Sequence, residues 1–232
     1  MCSRYTIVAK ADEIASRFSV HVPQNFQPNY NASPSQLLPV ITSDEPEGIS
    51  IFYWGLAPSL SKNKNVSERI INMRSEIINE KPVLRRALQS RRCIVPADGF
   101  YEWKKIGKKT NIPYRFRRKD KSLFAFAGLW EEYEDVSGFN YHTFSIFTIT
   151  PNDLISEMHD RMPVILNQSS EKIWLSKNSG ETELINTLKT FPSDQMEAYT
   201  VSSKVNSQLN NDATLILPAP AQDQHGNLTL FG

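Results

Sequence analysis

Cysteine is nearly absent from this 232-residue chain, which carries only Cys2 and Cys93. Two thiols exclude a disulfide framework and are too few for a structural zinc site. No apolar run approaches the roughly 18 residues that span a membrane. The opening Met1-Cys2-Ser3-Arg4-Tyr5 lacks the long apolar stretch of a secretory signal. No G-x-S-x-G elbow, P-loop or H-E-x-x-H helix occurs, and neither a metal nor an organic cofactor is expected. Internal repeats and low-complexity linkers are also missing. What is left is a globular composition, 40% hydrophobic and 22% charged, in a chain long enough to bury a full core. It fits a reducing intracellular compartment: cytoplasm or nucleoid in a bacterium, nucleus or also cytoplasm in a eukaryote.

Excess charge is small as well, at +1, but it is unevenly spread. Lys81 to Lys121 holds fourteen Lys and Arg against Asp98, Glu102 and Asp120, a surplus of +11 that leaves the remainder at −10. Such asymmetry suits a polyanion-binding face on an otherwise acidic protein. A solvated basic hairpin would look the same from charge alone.

Periodicity predicts a helix over Lys10–Phe18 and another opening at Pro82, with Val83, Leu84, Ala87 and Leu88 on one face. Strands are expected at Ile49–Gly55, Arg92–Pro96, Tyr114–Arg118, Leu123–Trp130, Thr143–Thr150 and Val164–Leu166. Asn152 is placed to cap a short helix, Asp153–Met158. Ser169–Ser176 and Thr182–Lys189 read as surface helices, Pro23–Pro39 as an extended surface loop, and the chain after Pro218 as a frayed polar tail. Strands and short helices without a βαβ rhythm predict an α+β domain.

The scarce cysteine is also the best-placed reactive group. Removal of Met1, which the small Cys side chain permits, leaves an amine of pKa about 7.7–8.0 beside a thiol of about 8.5. Such a terminus can attack an amide, or capture an aldehyde as an imine and then a thiazolidine. Three other segments carry chemistry. Asn72, Arg74 and Glu76 alternate and would share one face of a strand; a polar strand edge is the plainer explanation. Glu102 lies between Tyr101 and Trp103, whose rings would raise its pKa by drying it, unless it simply pairs with Lys104. His159, followed by Asp160 and Arg161, is the best acid–base candidate of four histidines, and Arg161 suits an oxyanion or phosphate. Cys93, beside Ile94 and Val95, reads as a core thiol.

In this order and spacing the segments resemble the SRAP family, named for SOS-response-associated peptidase. The resemblance rests on Met1–Tyr5, Tyr30–Pro34, Trp54–Pro58, Asn72–Glu76, Arg91–Trp103, Ala127–Trp130, His159–Val164, Val201-Ser202 and Val205-Asn206. It spans residues 2–217 and implies a single domain over 1–217, with 218–232 as a polar tail. The implied fold is α+β, a twisted, mostly antiparallel, barrel-like sheet with short peripheral helices. The implied function is the sensing of abasic sites in single-stranded DNA by a monomer, with replication-fork or repair proteins as possible partners. Cys2 would form a thiazolidine crosslink to the opened sugar. Asn72 would hold the sugar or the Cys2 backbone, Glu102 would orient the amine and move protons, and His159 would assist ring opening and crosslink reversal. Arg4, Arg74, Arg85 and Arg161 would grip phosphates, and Trp54 would lie near a base-stacking wedge. Ser3 replaces the family's usual Gly, and Leu60 an aromatic. Two other activities compete: a cysteine peptidase or amidohydrolase, whose cheapest substrate is the Met1–Cys2 bond, and non-covalent single-strand binding with Cys2 incidental. Lyase-like chemistry at the lesion would accompany the crosslinking activity.

Overall fold

A computed structural model describes residues 2–55, 71–107, 110–134 and 137–229; Leu60 lies outside them. Numbered in chain order, β1 (Tyr5–Ile7) and α1 (Ala11–Phe18) precede β2 (Asn29–Ala32), β3 (Leu37–Thr42), β4 (Ser50–Trp54) and β5 (Asn72–Arg74). Next come α2 (Pro82–Ser90), β6 (Arg92–Ala97), the hairpin β7 (Gly99–Ile106) and β8 (Thr110–Arg118), then the long strands β9 (Phe124–Glu134) and β10 (Asn140–Ile149). The last third supplies α3 (Asp153–Ser156), β11 (Met162–Pro163), β12 (Ile165–Leu166), α4 (Gln168–Leu175), α5 (Glu181–Thr187) and β13 (Met196–Thr200).

The larger sheet runs β10-β4-β3-β6-β9 and closes because β9 also pairs with β10. Closure leaves these strands without an open edge. Two pairings on β10, with β4 and with β5, are parallel, and the other ladders are antiparallel. β9 reads as apolar without alternation from Phe124 to Leu129 because both its faces are buried, one in the barrel and one under α4. Gly128 marks a close backbone approach within the barrel: a Cβ there would lie 2.8 Å from the Ser145 carbonyl oxygen and 3.0 Å from Cys93 Sγ. Cys93 is accordingly a core thiol, fully buried. A second sheet, β13-β8-β7-β1-β2, carries the N-terminus. The α+β class, the barrel-like antiparallel sheet and the short peripheral helices all match expectation.

Pro82 opens α2 as expected, and the Asn152 side chain accepts from the Ile155 amide, 3.0 Å, to cap α3. Three segments differ. Pro23–Pro39 contains β2 and the first half of β3, and their Ala32 and Leu38 are buried; its polar composition hides β2, which pairs with β1, and β3, which pairs with β4 and β6. After Pro218 the chain docks on the second sheet: Ala219 donates to the Thr200 carbonyl, 3.0 Å, and the Asn111 amide to Gln224, 2.9 Å. The strand holding Asn72 ends at Arg74, so Glu76 sits in the 3-10 turn Ser75–Ile78 rather than on a shared strand face.

The basic run also resolves differently. It winds through α2, β6, β7 and β8 rather than lying on one face. Arg92 is buried, its guanidinium donating to the carbonyls of Leu88, Gln89, Trp174 and Ser176. Arg115 is buried against Asp98 at 2.6 Å, while Arg117 pairs with Glu197 and Arg118 with Asp120. Part of the +11 is therefore neutralised from outside the run, at Arg117, or used to tie elements together, at Arg92. Among the described residues, no helix is long and apolar enough to cross a membrane.

Candidate active site

The N-terminal strand is pinned to the β7 side of the second sheet. Tyr5 registers with Phe100 and Thr6 with Gly99, and the Tyr101 amide donates to the Arg4 carbonyl, 3.0 Å. Asp98 accepts from Thr6 Oγ1 and from the Val8 amide, and Arg115 backs it. Asp98 and Arg115 have no role in the sequence-based site, although Asp98-Gly99 is their trace: a Cβ on Gly99 would lie 2.7 Å from the Arg115 guanidinium. This anchoring delivers Cys2 to the end of the barrel where β5 runs beside β10. Asn72 registers with Ile146 there, and its Nδ2 donates to the Cys2 carbonyl oxygen, 2.7 Å. The Cys2 side chain is fully buried, its thiol 3.7 Å from the Arg4 carbonyl oxygen. Burial first, then the charge of Glu102, push this thiol well above its usual range, so it rests as S–H.

Glu102 on β7 is 4% exposed. Burial raises its carboxyl to about 7, against the opposing pull of the chain's amino terminus. The expected cause is only half right. Strand alternation sends Tyr101 and Trp103 to the other face of β7, where Tyr101 donates to the Tyr30 carbonyl and Trp103 to Asn206. The neighbouring fold, rather than the flanking rings, dries the carboxyl. His159 follows α3, its amide donating to the Ile155 carbonyl, 2.9 Å. Burial lowers its pKa, followed by the amino terminus, with Lys105 in the same direction and Asp160 opposing. Glu102 and His159 thus both sit within the field of the amino terminus, and Asn72 holds the adjoining Cys2 backbone.

The DNA-gripping candidates divide. Arg74 is exposed beside Asn72. Arg161 is engaged by Glu76 through two hydrogen bonds, 2.7 and 2.8 Å, and by the Thr148 carbonyl. Arg4 is buried, and donates to Asn31 Oδ1 and to the carbonyls of Val205 and Asn206. Its job is to hold the 205–206 turn, in which Asn31 joins it, rather than to offer a free guanidinium edge. Arg85 pairs with Glu181 of α5 at 2.7 Å. Trp54 is fully buried, stacked on Phe144 and donating from Nε1 to the Ile71 carbonyl, 3.0 Å. It braces the wall behind Asn72 and offers no ring face to a base.

Cys2 is thus buried, held by the Asn72 amide and within the field of a near-neutral carboxyl. Residues 1–208 match the SRAP family, SOS response associated peptidase, and the chain belongs to that family. It is 43% identical over 221 residues to the abasic site processing protein YoaM of Bacillus subtilis, covering 93% of this chain and 97% of that one. It is 30% identical to the abasic site processing protein HMCES of Rattus norvegicus, over 85% and 67% of the two chains. The crystal structure of a protein from Bacteroides thetaiotaomicron shares the fold at a TM-score of 0.82 and 30% identity, covering 94% of this chain and all of that one.

Proposed function

We propose that this protein processes abasic sites in single-stranded DNA by capturing the ring-opened sugar aldehyde on Cys2. The observation that carries the proposal is that Asn72 holds the Cys2 backbone while Glu102 and His159 both feel the charge of the adjacent amino terminus. It is joined by the likeness to relatives named abasic site processing proteins.

The chemistry is redox-neutral and needs no cofactor. With Met1 gone, the Cys2 amine adds to the aldehyde carbon, and loss of water gives an imine. The thiol sulfur then adds to the imine carbon and its proton passes to nitrogen, closing a thiazolidine. A carboxyl near pKa 7 is suited to take the ammonium proton before attack and return one to the departing water. An S–H kept neutral by burial is spared oxidation until the imine stands beside it. His159, neutral at pH 7, is suited to proton transfer on the sugar oxygen. Asn72 fixes the Cys2 carbonyl and hence the direction of amine and thiol. Arg74 is the exposed cation best placed to meet a flanking phosphate. An imine that fails to close is the branch point for lyase-like strand cleavage, and ring closure withdraws it.

The peptidase in the family's name has a substrate at the same place, the Met1–Cys2 bond, whose cleavage unmasks the amine. Purified protein mixed with an abasic oligonucleotide separates these activities on a denaturing gel. Capture predicts a shifted band that vanishes when the aldehyde is reduced beforehand or Cys2 is changed to Ala. Turnover of unrelated peptides without that band would favour the peptidase, and binding untouched by Cys2→Ala would favour a non-covalent module.

A further inference from the structure

The His159 ring has two competing partners at one nitrogen. The Arg161 amide donates to Nδ1 at 3.0 Å, which requires Nδ1 to be unprotonated. The Asp160 carboxylate lies 2.8 Å from the same Nδ1, which is attractive only when that nitrogen carries a proton. Both cannot be satisfied together, and the winner decides which nitrogen the ring presents to chemistry. Asp160 is 83% exposed, so water weakens its pull. The Arg161 amide is held by more than its own turn. The Arg161 side chain is 11% exposed and bonded to both oxygens of Glu76, and its Nη2 also reaches the Thr148 carbonyl at 2.5 Å. Planar, bidentate arginine–carboxylate contact is the most directional ion pair a protein can build. Glu76 stands two residues beyond β5, the strand that carries Asn72, whereas Arg161 leads into β11. The pair therefore fastens the imidazole loop to the strand that holds Cys2.

We infer that Glu76 is a positioning residue: acting through Arg161, it holds the Arg161 amide against His159 Nδ1 and so fixes the ring as the Nε2–H tautomer. This rests on the abasic-site chemistry above only for its consequence, since the tautomer is a property of the protein alone. The groups that face the ring include the amino terminus, Asp160, the Arg161 backbone and, from β7, Lys105. Glu76 acts on it through geometry, not through its field. Without the clamp, residue 161 is free to drift, and Asp160 gains Nδ1.

The test is 15N NMR of the histidine side chains in full-length wild type, Glu76→Gln, Glu76→Asp and Glu76→Gln/Asp160→Asn, with crosslinking rates over pH 5–9 in parallel. Wild type should show an acceptor-type Nδ1 and a protonated Nε2. Glu76→Gln should move the population toward Nδ1–H and raise the His159 midpoint by roughly one pH unit, within the spread seen for protein histidines. Crosslinking should lose its low-pH limb by the same shift. Adding Asp160→Asn should restore the wild-type tautomer, and Glu76→Asp should lie between. An unchanged tautomer and midpoint in a folded Glu76→Gln protein would overturn the inference, as would a uniform slowing of crosslinking with no shift in pH profile. If wild type forms no crosslink while the tautomer shifts as described, the positioning role stands and the abasic-site chemistry falls.

Discussion

Asn72 Nδ2 lies 2.7 Å from the Cys2 carbonyl oxygen, a contact across 70 residues that ties the N-terminus to the strand beside β10. The other end of the same amide, Oδ1, is buried and has no hydrogen-bond partner among the described residues. A buried acceptor left open beside a reactive terminus suits a donor that arrives with substrate or forms during reaction.

Replacing Asn72 by Asp should therefore damage the site more than Ala does. Asp sets an acceptor against the Cys2 carbonyl and adds a negative charge beside the terminus whose thiol Glu102 already pushes up. A lost charge-competent hydrogen bond of about 1.4 kcal/mol slows a step tenfold. Single-turnover crosslinking on denaturing gels should show at least that loss for Asn72→Ala and a larger one for Asn72→Asp. Equal rates in all three proteins would remove Asn72 from the mechanism.

Glu102 should leave a signature in stability as well as in rate. Its carboxyl is raised by burial from 4.5 to about 7, so folding favours the protonated form. That contribution is complete below pH 4.5 and disappears as pH rises through 7, a change on the order of 3 kcal/mol. Glu102→Gln, neutral throughout, should be more stable than wild type at pH 8.5, with the difference shrinking toward pH 4.5. Urea unfolding at the two pH values measures it. The same substitution should abolish the rise in crosslinking rate centred near pH 7.

Trp54 is predicted to matter for folding. Truncating a fully buried Trp typically costs 3–5 kcal/mol, and here the bond to Ile71 is lost too. Trp54→Phe should lower the urea midpoint, yet leave the folded protein's affinity for undamaged single strands within about twofold. A stable variant with much weaker DNA binding would restore the stacking role.

The cations should separate by salt dependence. Each phosphate contact on a single strand contributes about −0.7 to the slope of log K against log salt. Arg74→Ala should flatten that slope by about one contact. Arg85→Ala, which breaks the pair with Glu181, should leave it unchanged. Fluorescence anisotropy of a labelled oligonucleotide at several salt concentrations distinguishes them.

What the sequence could show followed local physics. β9 was legible because its apolar, aromatic-rich run reflects burial on both sides, β10 because of its aromatic and β-branched residues, and α3 because Asn152 announces its cap. Cys2, Asn72, Glu102 and His159 could be picked out as residue types suited to the chemistry. Their placement about the amino terminus could not, because it depends on long-range register such as Asn72 opposite Ile146. The basic run misled because adjacency in sequence is not adjacency in space: Arg92 and Arg115 face inward while Lys105 is exposed. Tyr101 and Trp103 misled for a related reason, since strand neighbours point to opposite faces. Arg4 and Trp54 look like ligands for DNA until their buried partners are known.

The most direct measurement is the intact mass of the covalent species formed between full-length protein and an abasic oligonucleotide. Capture by an unmasked Cys2 predicts the mass of the chain without Met1, plus the DNA, minus one water, with the fragment map placing the adduct on Cys2. A sample shown to lack Met1 that yields only the two separate masses, or an adduct on any other residue, would contradict it.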